Sequence, residues 1–265
     1  MSALAASGAT ALRVRFPGTA PAGAAPLAAF PELGRMAASE PLALAALEEN
    51  ETDAGALRVL HLPGGSAASP AAREAAEAWI AGEGPVDLVL QSDRILWRPG
   101  RALVIGGGTD FETYLRGLTV FAAFEGELRR LESQVAAWWS QAQGDIALTH
   151  QVDREAERRW PHVNAMTEAV ARARMTHVAI EGPLEKGPAE LPGLARRLFA
   201  ELAQRAEIPH RLERLDEKID VLADLYELAN DRLSEYSYFR REYLLEALII
   251  AVLAIEAALL VYDIF

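Results

Sequence analysis

From Pro209 onward, apolar residues recur at alternating intervals of three and four, through Leu212, Leu215, Ile219, Leu222, Tyr226, Ala229, Leu233 and Tyr236. That spacing is a continuous a/d seam, and it commits 208–243 to a long helix in a coiled coil or a helical hairpin. Charged residues from Glu213 to Glu235 fill the other turns, so the flanks of this helix are solvated. Val221, Leu225 and Leu228 widen the apolar face beyond a two-residue seam. Two partners therefore compete for it: the chain's own helical segment over 194–206, and a second copy of the chain.

Beyond the seam, Arg240 and Arg241 precede 244–262, a run interrupted only by Glu246 and Glu256. As a helix it reaches about 28 Å, near the thickness of a bilayer core. Its eleven Leu, Ile and Val residues favour insertion by about −3 to −7 kcal/mol, against about +2.5 to +3.5 kcal/mol for a centrally placed acid. The expectation is a single-pass carboxy-terminal transmembrane anchor, with the arginines and the soluble domain on the inner side of a bacterial or mitochondrial inner membrane, and the lipid bilayer as a partner. Glu242, Glu246 and Glu256 fall within about 80° of one another on a helical wheel and form one polar stripe. A soluble module whose terminal helix docks in a groove is the alternative; Leu248, Val252 and Leu259 are the face it would bury.

The first half alternates differently. Residues 11–16 read as a strand, with Leu12, Val14 and Phe16 on one face, followed by a Pro/Gly/Ala turn or linker over 17–26. A short helix is expected over 37–49, a strand over 56–62, a helix over 70–81, and strands over 86–90, 94–97 and 101–105. Helix follows over 110–143 and, with an interruption near Trp160-Pro161, over 152–174. A surface connection over 181–192 precedes helix over 194–206. The fold class is α+β: a small amino-terminal mixed domain over 1–110, a mainly helical region over 111–207, the heptad helix over 208–243 and the transmembrane helix over 244–262.

Charge and composition remove several function classes. Acidic residues outnumber basic ones 38 to 26, a formal net charge of −12, which disfavours direct nucleic-acid binding. The absence of cysteine removes thiol nucleophiles, disulfides and cysteine metal sites. His61, His150, His162, His177 and His210 never take the i,i+4 spacing of a helical zinc motif. A cluster of His150 with Asp153 or Glu157, or of His162 with Glu168, would need tertiary assembly. Glu125 and Glu127 do not share a helical face, and Pro183 separates Glu181 from Glu185. Gly106-Gly107-Gly108-Thr109 lacks the phosphate-loop lysine and reads as a turn. No residue is assigned as catalytic, cofactor-binding or metal-ligating, and the chain is read as non-enzymatic.

The ordered set Ile208-Pro209, Arg214-Leu215-Asp216-Glu217-Lys218-Ile219-Asp220-Val221-Leu222, Leu233-Ser234-Glu235, Leu245-Glu246 and Ile255-Glu256 resembles the family required for meiotic nuclear division. The resemblance covers about residues 115–265 and is strongest after Pro209. It implies a membrane-anchored, self-associating scaffold or tether, with mitochondrial relatives that hold ribosomes near the membrane. A ribosomal or other basic protein is the partner class it implies for an acidic chain. The competing expectation is a membrane-associated hydrolase built on a tertiary cluster of His150, Asp153, His162 or His177.

Overall fold

The computed structural model describes all residues except 1, 19–24, 48–54, 66–67, 83–84, 107, 151 and 265; for 25, 26 and 257–264 it describes the backbone alone. A small mixed α/β region comes first and a mostly helical region follows. The described residues form two compact units, Met1–Glu132 with Thr176–Arg214, and Ser133–Met175 with Leu215–Phe265.

In the first unit, β1 (Thr10–Arg15), β2 (Ala25–Phe30), β3 (Arg35–Leu42), β4 (Leu57–Leu62), β5 (Val86–Leu90), β6 (Asp93–Arg98) and β7 (Arg101–Ile105) form one sheet in the order β2-β3-β1-β4-β7-β6-β5. Every pairing is antiparallel except β4 with β7. All six residues of β4 are buried, so the strand needs cover on both faces. On one face, Ala72, Ala76, Trp79 and Ile80 of α2 (Pro70–Ile80) join a cluster with Leu60, Leu62, Leu103 and Ile105. Leu4 of α1 (Ser2–Ala6) belongs to the same cluster. Helix α2 starts where its sequence says it should: Ser69 accepts a bond from the Ala72 amide, and Pro70 occupies the first turn.

The other face carries α3 (Phe111–Asp145) and α6 (Gly193–Arg205). Trp97 meets Phe121 edge-on at 4.9 Å, Phe121 meets Phe199 at 5.5 Å, and Phe30 meets Phe124 at 5.7 Å. These contacts tie sheet to α3 and α3 to α6. Gly117 allows the two helices to approach, since a methyl there would stand 3.0 Å from the Ala195 carbonyl oxygen and 3.3 Å from Leu198.

Two expectations for this unit are corrected. The helix expected over 37–49 is strand β3 as far as Leu42 and then a 3-10 turn, Leu44–Leu47; 48–49 lie outside the described residues. Between β1 and β2, β3 has a hydrogen-bonding neighbour on each side, which outweighs the helical preference of its alanines. Helix α5 (Trp160–Lys186) runs through Pro183, where a surface connection is expected, and ends at Gly187 in the left-handed region at φ 68°.

The second unit is helical. It takes Ser133–Asp145 from the end of α3, all of α4 (Arg154–Arg158), the first part of α5, and α7 (Ile208–Ile264) from Leu215 on. Leu215, Ile219, Leu222, Tyr226, Ala229 and Leu233 are buried, as the seam requires. At the next turn Ser237 is buried while Tyr236 is only half-buried, the drift expected when a 3.6-residue helix follows a 3.5-residue repeat. Trp160 donates to Asn230 at 2.9 Å, and Arg240 pairs with Glu157. The seam from Leu215 is thus consumed within one chain.

The transmembrane anchor expected at 244–262 is corrected as well. Among the described residues no helix is long and apolar enough to cross a membrane. The side chains described in this stretch before Glu256 are those of residues 244–255. They follow Arg240, Arg241 and Glu242, contain Glu246 and abut Glu256; the side chains of 257–262 lie outside those described. With the anchor go the lipid bilayer as partner, the single-pass inner-membrane localisation and the membrane-anchored form of the scaffold.

Replacing Gly117 with valine drives a branched side chain into the Ala195 carbonyl and is expected to destabilise the first unit by about 1–3 kcal/mol. A wild-type denaturation midpoint for Gly117→Val would contradict this packing.

Candidate functional site

Each side chain considered for a tertiary cluster has its own local partner. His150 is exposed, with Nδ1 3.2 Å from the Thr149 hydroxyl. Asp153 caps α4, accepting from the amides of Glu155 and Ala156 at 2.9 and 2.8 Å. Glu157 pairs with Arg240 and Glu168 with Arg172. His177 is buried, and its Nε2–H donates to the Leu212 carbonyl at 3.2 Å. His210 is exposed, 3.8 Å from Glu213. Among the described residues, no group of three or more His, Asp or Glu side chains could hold a metal ion. The hydrolase cluster is not assembled.

His162 bonds to a residue that sequence reasoning missed. Asp145, 2% exposed at its side chain, accepts from His162 Nε2 at 2.9 Å, the Tyr226 hydroxyl at 2.9 Å, and Arg159. It closes the last turn of α3, where the helix dipole disfavours an anion, so these donors hold it in place. Burial first, and then the bond to Asp145, push the Tyr226 pKa well above its ordinary value. The available signal was an aspartate ending a long amphipathic pattern; the partners lie too far along the chain to be read from spacing.

A second polar cluster sits at the carboxyl ends of the one parallel strand pair, β4 and β7. His61 Nε2–H donates to the Gly106 carbonyl at 2.7 Å, and its ring stacks on Phe111 at 4.0 Å. Tyr114 donates to Asp93 at 3.0 Å. Gly106, at φ 103°, has Asp93 where a Cβ would be, so it serves backbone geometry and packing; Gly107 lies outside the described residues. Burial first lowers the His61 pKa, opposed by the Gly106 bond and by Asp93. In the first cluster Asp145 and Tyr226 are buried while Arg159 and His162 are exposed; in the second His61, Asp93 and Tyr114 are all buried.

The accessible feature is the end of α7. From Glu242 to Glu256 every side chain is exposed, Leu244 at 58%, Leu248 at 60% and Ile255 at 60%. At 100° per residue these three fall within about 40° of one another. Ala247, Ala251 and Ala254 form a row of small residues beside them, while Glu242, Glu246 and Glu256 share the opposite side with Ile249 and Leu253. The face therefore has a ridge of large side chains next to a shallow groove.

Asp145→Ala leaves the buried Tyr226 hydroxyl without its acceptor and the exposed Arg159 and His162 without their common partner, and is expected to cost about 1–3 kcal/mol; chemical denaturation checks it. For His61, a folded pKa below 6.5 means that the unfolded chain takes up the proton first as pH falls. Its stability contribution is complete above 6.5 and declines as pH drops from there toward the lower folded value. Urea midpoints measured on either side of that window should show a smaller acid-side loss for His61→Gln, and identical profiles would refute the assignment. No family model matches this chain, and no curated protein or solved structure matches it.

Proposed function

We propose that this chain is a helical interaction module that assembles with a second copy of itself through the exposed end of α7. The supporting observation is the pairing of a large-residue ridge, Leu244, Leu248 and Ile255, with an alanine groove, Ala247, Ala251 and Ala254, on one exposed face. Under a two-fold axis the ridge of each copy fills the groove of the other, which makes the surface self-complementary. Glu242, Glu246 and Glu256 then face water, so no carboxylate is desolvated without a partner. The resemblance to the family required for meiotic nuclear division implies self-association too, and this face supplies a physical basis for it. The docked-helix alternative has Leu248, Val252 and Leu259 buried in a groove; within this chain Leu248 and Val252 are exposed, and the side chain of Leu259 lies outside those described.

The intact chain is expected to sediment above its monomer mass of 28.7 kDa at micromolar concentration, and Leu248→Glu, which places a charge in the middle of the face, to return it to that mass with unchanged helicity. A monomeric wild-type chain overturns the proposal. So does a Leu248→Glu chain that retains the wild-type mass.

A further inference from the structure

In the first unit, a cavity of about 670 Å³ opens between the end of β6, α3 and the junction of α6 with α7. Arg98 reaches it from β6, Arg129 from α3, Arg205 from the last turn of α6 and Arg211 from the first turns of α7. Two carboxylates, Glu125 and Glu207, also line it. In a chain of net charge −12, this local excess of cations runs against the rest of the surface.

The positive charges differ in how far they are neutralised. Glu125, 3% exposed at its side chain, accepts from Arg129 at 2.7 Å and Arg211 at 3.1 Å, and Arg211 also forks onto Glu132 at 2.7 and 2.9 Å. That network fixes the floor and orients two guanidinium groups. Arg98 donates to the carbonyls of Ala81 at 2.5 Å and Ile80 at 3.5 Å, neutral acceptors that position the guanidinium without cancelling its charge. Arg205 is exposed and has no carboxylate partner among the described residues. Arg101, beside Arg98 in the β6–β7 pairing, has its pKa lowered by burial first and then by Arg98 and Arg58, as expected where cations crowd.

A fifth donor is buried at the cavity wall. Trp97 lines the same cavity at 3% exposure, and its indole N–H has no hydrogen-bond partner among the described residues. Indole nitrogen only donates, and a buried donor without an acceptor costs about 1–3 kcal/mol. Phenylalanine would make the same edge contact with Phe121, so the indole N–H has a use only if a small side-chain shift lets an acceptor reach it from the cavity.

We propose that this cavity binds a phosphorylated small molecule of nucleotide size, with its phosphate held by Arg98 and Arg205, oriented beside the Glu125–Arg129–Arg211 network, and an acceptor atom placed on the Trp97 indole. Guanidinium groups suit phosphate because their fixed N–H forks match its oxygens. The volume lies in the range of small-molecule sites. Glu207, held at φ 52° at the α6–α7 junction, sets a second condition: its carboxylate repels the phosphate end and favours a ligand donor, such as a hydroxyl or amino group, on that wall. The site is independent of the α7 end and of self-association.

Calorimetric titration of the full chain with pyrophosphate, AMP, ADP and adenosine tests it. Binding of at least one of the three phosphate probes at millimolar concentration or below, with adenosine silent, is expected. Arg205→Ala should weaken that binding about tenfold without changing the melting temperature of the free chain, and Trp97→Phe should weaken it severalfold. Arg205→Lys should recover part of the loss. The proposal is overturned if none of the phosphate probes binds, if adenosine binds as well as AMP, or if Arg205→Ala and Trp97→Phe both bind like wild type.

Discussion

A strand buried on both faces governs the first unit. Because no residue of β4 reaches solvent, the sheet needs a helical layer on each side, and because β4 runs parallel to β7, the chain must cross over between them. The crossover contains α2, which covers one face, and the β5–β6 hairpin, which extends the sheet past β7. The other face is left for α3 and α6, and Gly117 leaves room there for the Ala195 carbonyl and Leu198. The aromatic chain Trp97–Phe121–Phe199 follows from that arrangement.

Both units handle buried carboxylates in the same way. Asp145, Glu125 and Glu127 are almost inaccessible, and each is met by arginine: Arg159 for Asp145, Arg129 and Arg211 for Glu125, Arg130 and Arg35 for Glu127. Such pairs return little net stability compared with apolar side chains of the same volume, but losing one partner is expensive. They therefore act as register marks. Asp145 accepts from α5, α7 and the α4–α5 junction at once, so only one alignment of those helices satisfies it.

Periodicity carried most of the fold. The strands from β4 to β7 and the helices α2, α3, α6 and α7 each have a hydrophobic repeat or a capping signal that survives in the structure, such as Ser69-Pro70 and Ile208-Pro209. What periodicity could not reach was structure made by distant pairing. Strand β2 lies in an alanine- and proline-rich stretch, and β3 is a strand because β1 and β2 flank it. Polar clustering was even less legible, since Asp145 and Tyr226 are separated by 81 positions, and Arg211 and Glu125 by 86. The histidines that drew attention in the sequence turned out to bond to backbone carbonyls, a hydroxyl or a single carboxylate, which are structural roles that no local spacing announces.

The two apolar surfaces of α7 differ in a way that hydrophobic content conceals. Where the helix packs in its own unit, the buried positions are mostly large, Leu222, Tyr226 and Leu233 among them, and they fill space that the same chain encloses. Past Ser237 the apolar residues continue, yet the side chains stand in solvent, and leucine and isoleucine now run beside a row of alanines. Counting apolar residues treats these segments alike and reads the second as hydrocarbon-soluble. Their arrangement separates them. An alanine groove gains nothing from exposure to water, whereas it lets another helix approach closely enough for that helix's leucines to be buried. The three glutamates keep to the opposite side, which they share with Ile249 and Leu253.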